Sequence, residues 1–480
     1  MPESGAHRAP FCNIELDSGD ASSDGARSLT GKRRLGDRVV RALARTTWRW
    51  APPGAQRSTT LPAHEFRRAL GVVALVFAVK LGLGGIWFDL EGIVANGFAF
   101  GFEVGHIAGN IAAGHGFTVS PDSEVYLPTA WVSPLYPLML AGIFKLFGAY
   151  SLAAAKAMLV ANCLFQAASA GLLYLLGVRF GGRSVGLVAA CIFLVNPNGW
   201  QFLAWAWPSQ LFAFLLLLHF YSLLFPIYRS AGLVGATFAL ALMADGAAIA
   251  VAPVTLAHLY FGNSANPANP ASAADANRVR RRSLAAALIC FAIVVAPWTI
   301  RNAQQFGSIN PLRGNVGVNL WVGNYPGAND ESFHGLAPSP WHDAAEGKKF
   351  VALGERGYDR MARDRALAEI VARPGRFVVN SLTRFSGFWL GEWWTGYQHI
   401  AWFYSLGLIA LTALALRGAI RARKLGTGAL LAAVLLFGGP YYLTVHGHGR
   451  YRVPIEPLMC LLAALKPSEA ERESSLGDVE

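Results

Sequence analysis

Charge is scarce in this chain. Only 15% of its 480 residues are Asp, Glu, Lys or Arg, while 54% are hydrophobic, which is too little charge to solvate the surface of a soluble protein of that length. Cysteine is scarcer still, at five residues: Cys163, Cys191, Cys290 and Cys460 fall inside apolar runs and Cys12 in the N-terminal tail. That distribution excludes a disulfide framework, a zinc spacing and cysteine redox chemistry. No internal repeat, inverted or parallel, of the kind that marks many transporters is present. The first 66 residues hold no signal-peptide apolar region, so the tail is expected to be retained.

What the chain has instead is a series of apolar runs of about 17 to 25 residues, the length a helix needs to cross ~30 Å of hydrocarbon. Spans are expected near 69–88, 152–177, 184–198, 206–225, 231–244, 247–261, 284–300, 401–417, 427–445 and 453–466. The expected fold class is an all-α polytopic membrane protein with about ten transmembrane helices. The net charge of +12 does not imply nucleic acid, because Arg and Lys sit in the tail and in short loops rather than in one folded patch. Arg179, Arg183, Arg229, the run ending at Arg282, and Arg417, Arg421, Arg423 and Lys424 mark one side as cytoplasmic, with the N-terminus on that side. Lys80 lies inside the first span, where an ionisable group is either functional or snorkels to the interface.

Residues 1–66 are rich in Ser, Gly, Pro and Arg and are expected to be a disordered basic cytoplasmic tail. A membrane domain over 67–466 and a short cytoplasmic tail over 467–480 complete the chain. Two segments of the domain are left outside the membrane: 89–151, and a larger, partly helical one over 301–400. In the larger one, GERGYDRMARDRALAEIVARPGRFVVNSLTRFSGFWL (354–390) reads as two helices separated by Pro374. Trp389, Trp393, Trp394 and Trp402 cluster as an interfacial aromatic belt would.

The first outer segment contains GFEVGHIAGNIAAGHGF (101–117). As a helix it sets Glu103, His106 and Asn110 on one face and Val104, Ile107, Ala108 and Ile111 on another. Such a helix is expected to lie flat on the membrane, with Glu103 pointing into an aqueous pocket where an acid or base is useful. Arg450 and Arg452 sit in a short turn on the outer side, where positive charge is disfavoured. A phosphate at headgroup level would account for them, since Arg forks two hydrogen bonds to phosphate oxygens. Arg301, at the outer end of another span, is placed to converge on the same phosphate. His446 and His448 form a pair too small to imply a metal site; His448 is expected near the lipid phosphate.

FEVGHIAGNIAAGHGF followed by PTAWVSPLYPLMLAGIFKLFGAYS resembles the GT-C superfamily of integral-membrane glycosyltransferases. The similarity is to the branch of protein O-mannosyltransferases and lipid A aminoarabinose transferases. PWTIRN (297–302), the ERGYDRMARDRALAEIVARPGRF helix pair (355–377) and GRYRVPIEPL (449–458) extend it over residues 69–466. The resemblance implies a GT-C-like fold with interfacial helices in the first outer loop, and transfer of a sugar from an outward-facing polyprenyl-phosphate donor. It further implies a glycan, lipid or protein acceptor, and a place in the inner membrane with the site facing the exterior. Glu103 matches the family's base, where Asp is usual. Arg301, Asn302, Arg450, Tyr451, Arg452, His106 and His448 are the donor-binding candidates, Tyr451 doubling as an interfacial anchor. Neither a cofactor nor a metal is implied; membrane lipids are the other partner, and nucleic acid is not one.

The turn NPNGWQFLAWAWPSQL lacks the second acidic residue that many relatives carry between their third and fourth spans. Either another group such as Asp245 or Asp89 replaces it, or the protein lacks that function. Two rival readings stay open, a transporter or flippase of a lipid-linked intermediate and a noncatalytic member of an envelope-glycan complex. The charge asymmetry makes a testable prediction: single cysteines at Ser123 and Ser339 react with an impermeant thiol reagent added outside intact cells, and one at Ser272 does not. Outside labelling at Ser272 would overturn the orientation.

Overall fold

A backbone in hydrocarbon satisfies its N–H and C=O groups within its own segment, which makes the apolar runs helical. The computed structural model describes residues 61–95, 100–120, 125–224, 231–261, 273–307, 313–328, 339–341, 343–391, 398–422, 427–444 and 449–466. In chain order the helices are α1 (Ala63–Trp87), α2 (Leu90–Ala95), α3 (Glu103–Ala112), α4 (Leu135–Phe147), α5 (Leu152–Gly181), α6 (Arg183–Val195), α7 (Pro197–Gln201), α8 (Ser209–Leu224) and α9 (Ala231–Ala244). They continue as α10 (Ala252–Phe261), α11 (Ala273–Phe306), α12 (Val316–Asn324), α13 (Ala344–Ala372), α14 (Pro374–Leu390), α15 (Gln398–Arg421), α16 (Gly428–Phe437), α17 (Gly439–Thr444) and α18 (Glu456–Ala464). Tight 3-10 turns occupy Gly246–Val251 and Gly449–Ile455. Among the described residues the only sheet is a two-residue antiparallel pairing of β1 (Thr118–Val119) with β2 (Leu127–Pro128).

Among the described residues, four helices are long and apolar enough to cross a membrane: Ala63–Trp87, Leu152–Gly181, Asn277–Phe306 and Phe403–Arg421. The other expected spans fall on shorter apolar helices, and three of them are interrupted. The 247–261 segment starts as a 3-10 turn, 427–445 breaks between α16 and α17 at Gly438–Gly439, and 453–466 starts as a 3-10 turn. Each break lies where the chain lines a cavity. Irregular backbone is tolerated at membrane depth in that setting.

Small residues bring the helices together, as expected where lipid removes the hydrophobic drive for association. α9 packs on α11 with no room for a Cβ at Gly235 against the Ala287 carbonyl, and α15 packs on α18 with none at Gly418 against Leu462. At one end of the bundle Glu65 accepts from Arg183 Nε at 2.6 Å and Tyr174 Oη at 2.6 Å, pinning the start of α1 to α5 and α6.

The opposite end is held by a fully buried ion pair, Arg452 Nε to Glu456 Oε1 at 3.0 Å. Arg452 also donates to the Trp389 carbonyl (2.8 Å), Thr412 Oγ1 (2.9 Å) and the Leu408 carbonyl (2.9 Å). Glu456 accepts from Asn196 and from Asn198 Nδ2, the latter at 2.8 Å. Arg452 was expected to meet a lipid phosphate. It points into the protein instead, because the three-residue period of the GRYRVPI turn sets Arg450 and Arg452 on different faces and Glu456 draws Arg452 inward. Trp389 is likewise not an interfacial anchor: it is buried and donates to Tyr442 Oη at 2.8 Å. Trp393, Trp394 and the side chain of Trp402 lie outside the described residues.

Removing one partner of a buried ion pair leaves the other charge uncompensated. Glu456→Ala is therefore expected to cost about 3–5 kcal/mol, with Glu456→Gln milder because it keeps the size and an acceptor. Thermal unfolding in detergent reads this out; an unshifted midpoint for Glu456→Ala would remove the pair from its structural role.

Candidate active site

α3 is placed by two unusual residues. Gly101 (φ +85°) and Phe102 (φ +39°) turn the chain in the left-handed region, which costs energy for a residue with a Cβ such as Phe. The turn makes Glu103 the first residue of α3. Val104, Ile107 and Ala108 are buried, and α3 packs on α4. The apolar stripe expected to rest on lipid is covered by protein instead. Asn110 Nδ2 donates to the Thr118 carbonyl at 3.0 Å and fixes the far end of the helix. His106 is exposed and is not on the cavity wall.

Glu103 opens onto a cavity of about 560 Å³. No hydrogen bond or ion pair ties down its carboxylate among the described residues. A second carboxylate, Asp245, lines the same cavity. It caps the 3-10 turn by accepting the Ala247 N–H at 2.9 Å and lies 3.6 Å from Arg313 Nη1. Arg450 enters from the Gly449–Ile455 turn, its guanidinium 3.8 Å above the Trp207 ring and bonded to Tyr451 Oη at 3.0 Å. Tyr451 also lines the cavity and stacks on Tyr441 at 4.6 Å. Trp131, Tyr136, Trp207 and Trp341 complete an aromatic wall. The arrangement offers an unencumbered carboxylate, two guanidinium groups and flat apolar surfaces in one semi-enclosed space. Those are the parts needed to take a proton, hold an anion and stack a ring.

Arg301 and Asn302 stand behind this wall. Arg301 donates to the Thr129 carbonyl (2.6 Å), the Phe117 carbonyl (2.8 Å) and Asn302 Oδ1 (2.9 Å), so its fork braces the loop carrying Trp131. Neither residue lines the cavity, and Asn302 is fully buried. His446 and His448 lie outside the described residues. Asp89 is exposed and caps α2 at Gly92 N, 2.9 Å, away from the cavity. Lys80 is buried against the Trp200 ring at 3.7 Å and is also elsewhere. Among the described residues no three His, Cys, Asp or Glu side chains gather as metal ligands.

Sequence reasoning missed Arg313 and Glu355. Arg313 belongs to a Gly-, Asn- and Pro-rich stretch with no periodicity to mark it. Glu355 follows the kink of α13 at Gly354 (φ +66°). It is buried, accepts from Thr129 Oγ1, and accepts the Ala130 N–H at 2.9 Å. The large segment is thereby tied to the loop that carries Trp131.

No family model and no curated protein matches the chain. Among solved structures it is similar to the Archaeoglobus fulgidus oligosaccharyltransferase in the apo form, with 11% identity and a TM-score of 0.46 over 85% of this chain and 51% of that one. It is also similar to ArnT from Cupriavidus metallidurans bound to undecaprenyl phosphate, with 14% identity and a TM-score of 0.38 over 86% and 78%. A third is the archaeal oligosaccharyltransferase AglB with an inhibitory peptide and a dolichol-phosphate, at 13% identity and a TM-score of 0.44 over 75% and 45%. The chain spans about half the length of the oligosaccharyltransferase. All three likenesses lie below 15% identity and below a TM-score of 0.5. At such scores they carry no argument about the site.

Burial pushes the Glu355 carboxyl up from 4.5 to about 7, against the hydrogen bonds from Thr129 and Ala130 and the charge of Arg301; Asp359 adds to the rise. The folded protein therefore holds a proton there that the unfolded chain has lost, and stability falls as pH rises from about 4.5 through about 7. Glu355→Gln, permanently neutral, should flatten this dependence. Parallel stability-versus-pH curves for parent and variant across that window would contradict it.

Proposed function

We propose that the protein transfers a sugar from a polyprenyl-phosphate-linked donor to a glycan, lipid or protein acceptor, with the chemistry in the Glu103 cavity. The observation that carries this reading is that the unencumbered carboxylate of Glu103 shares one aromatic-walled cavity with the guanidinium groups of Arg450 and Arg313. The apolar helices around it suit a substrate with a lipid tail. The site is read as facing the exterior of the inner membrane, following the charge asymmetry of the loops.

In the reaction, Glu103 takes the proton of the acceptor hydroxyl or amine as that heteroatom bonds to the anomeric carbon. The bond from the anomeric carbon to the phosphate oxygen breaks, and the lipid phosphate leaves carrying the negative charge. Arg450, held by Trp207 and Tyr451, meets that charge, and a prepositioned cation in a semi-enclosed cavity stabilises it without reorganising. Trp131, Trp207 and Trp341 offer faces for the sugar ring. Asp245, oriented by Arg313, supplies the second carboxylate that the turn after α6 lacks and orients acceptor or sugar hydroxyls. Arg301, Asn302 and Arg452 support the walls and do not touch substrate.

Purified protein in proteoliposomes with radiolabelled polyprenyl-phosphate sugars tests the proposal. Glu103→Gln keeps size and hydrogen bonding but cannot accept the proton, so turnover should fall by about a hundredfold or more with donor binding retained. Arg450→Ala should weaken donor use, and Arg450→Lys should restore only part because the forked geometry is gone. Parental turnover in Glu103→Gln would remove the base from the mechanism and favour a flippase or a noncatalytic role.

A further inference from the structure

α14 is amphipathic in the sense opposite to a helix facing water. Its inward face carries cations. Arg376 donates to the Pro326 carbonyl at 2.7 Å and the Tyr325 carbonyl at 2.9 Å. Asn380 Nδ2 reaches the Ala328 carbonyl at 3.4 Å. Arg384, 2% exposed, donates to the Gly323 carbonyl and, at 3.3 Å, to the Tyr442 carbonyl. Spaced four residues apart, these three side chains meet the carbonyls at and just beyond the C-terminal end of α12, where helix carbonyls lack partners and positive charge is favoured. The outward face is apolar: Val378 is 53% exposed, Val379 60%, Leu382 62% and Phe385 48%.

In water this polarity is inverted, since aliphatic groups gain nothing by facing solvent while Arg384 is desolvated and Arg376 is turned inward to backbone carbonyls and Glu369. In hydrocarbon it is the expected arrangement, because ionisable side chains at membrane depth turn towards the protein. Depth can be read independently. Thr412 Oγ1 donates to the carbonyl of Trp389, near the end of α14, at 3.2 Å. Thr412 is midway along the Phe403–Arg421 stretch that is long and apolar enough to span. α15, which packs on α14, likewise exposes apolar side chains, Phe403 at 80% and Leu406 at 57%.

We propose that α14 descends into the cavity-side leaflet, with Val378, Val379, Leu382 and Phe385 among the lipid acyl chains and its arginine face gripping the cavity wall. The grip is direct, since α12 carries Asn319 and Val322 and α17 carries Tyr441 and Thr444, all of which line the cavity. One helix of the segment expected to lie outside the membrane is thereby anchored in it. This inference rests on the membrane reading of the apolar helices and not on the chemistry assigned to Glu103.

Leu382→Cys and Val378→Cys, each labelled with an environment-sensitive fluorophore in the full chain in lipid nanodiscs, test it. Cys12, Cys191 and Cys290 are replaced by Ser, and the buried Cys163 and Cys460 are left in place. Arg360→Cys, on the exposed side of α13, is the aqueous control. The expected result is blue-shifted emission at 378 and 382, with several-fold stronger quenching by acyl-chain nitroxides and several-fold weaker quenching by iodide than at 360. Iodide quenching equal to the control would overturn the proposal. Shielding from both quenchers would also overturn it, and would mean that a protein surface, such as a second copy, covers the face.

Discussion

A bilayer offers no water to a stranded polar group, and that constraint shapes the cavity end of this protein. The Arg452–Glu456 pair is its clearest expression. With both side chains inside the bundle, the guanidinium reaches one carboxylate, two backbone carbonyls and one hydroxyl, while the carboxylate also accepts from Asn196 and Asn198. Asn198 in turn donates to the Gly449 carbonyl at 2.8 Å. The turn that presents Arg450 is thus fastened from beneath by groups that must be satisfied regardless of any substrate. A buried polar network of this kind rigidifies the backbone it holds.

The same division of labour recurs around the cavity. Arg301 and Glu355 hold opposite sides of the Thr129–Ala130 stretch, and Trp131 projects from it into the cavity. Arg384 and Arg376 hold α12 from the other flank. The charged groups that face the cavity, Glu103, Asp245, Arg313 and Arg450, come from four separate stretches of the chain. Each is seated on an element whose own hydrogen bonds are made elsewhere. A site built on such supports keeps its geometry when empty, as the transfer proposed for it requires.

Arginine carries most of this framework, and for a physical reason. Its guanidinium stays charged under burial and spreads five donors in a plane, so one side chain can collect several carbonyls at helix ends. The scarcity of charge in the sequence therefore does not mean that charge is unimportant. Arg301, Arg376, Arg384 and Arg452 each tie two or more segments together.

Hydropathy along the chain determined the helical class and the positions of its apolar segments, because crossing hydrocarbon is a local demand on some twenty consecutive residues. The polar face of α3 was equally legible, since periodicity of 3.6 is local, and it singled out Glu103. The fate of the arginines was not legible. Arg450 and Arg452 are two residues apart in one motif, yet one enters the cavity and the other the core, a choice made by the 3-10 turn and by Glu456 beneath it. Arg301 read as a phosphate ligand and became a brace, because carbonyls of a loop roughly 170 residues away in sequence reach it first. Asp245 and Arg313 became neighbours, and α14 turned its arginines inward, only once the helices had packed. Periodicity records which face of a segment is polar; only tertiary packing decides whether that face meets water, substrate or another backbone.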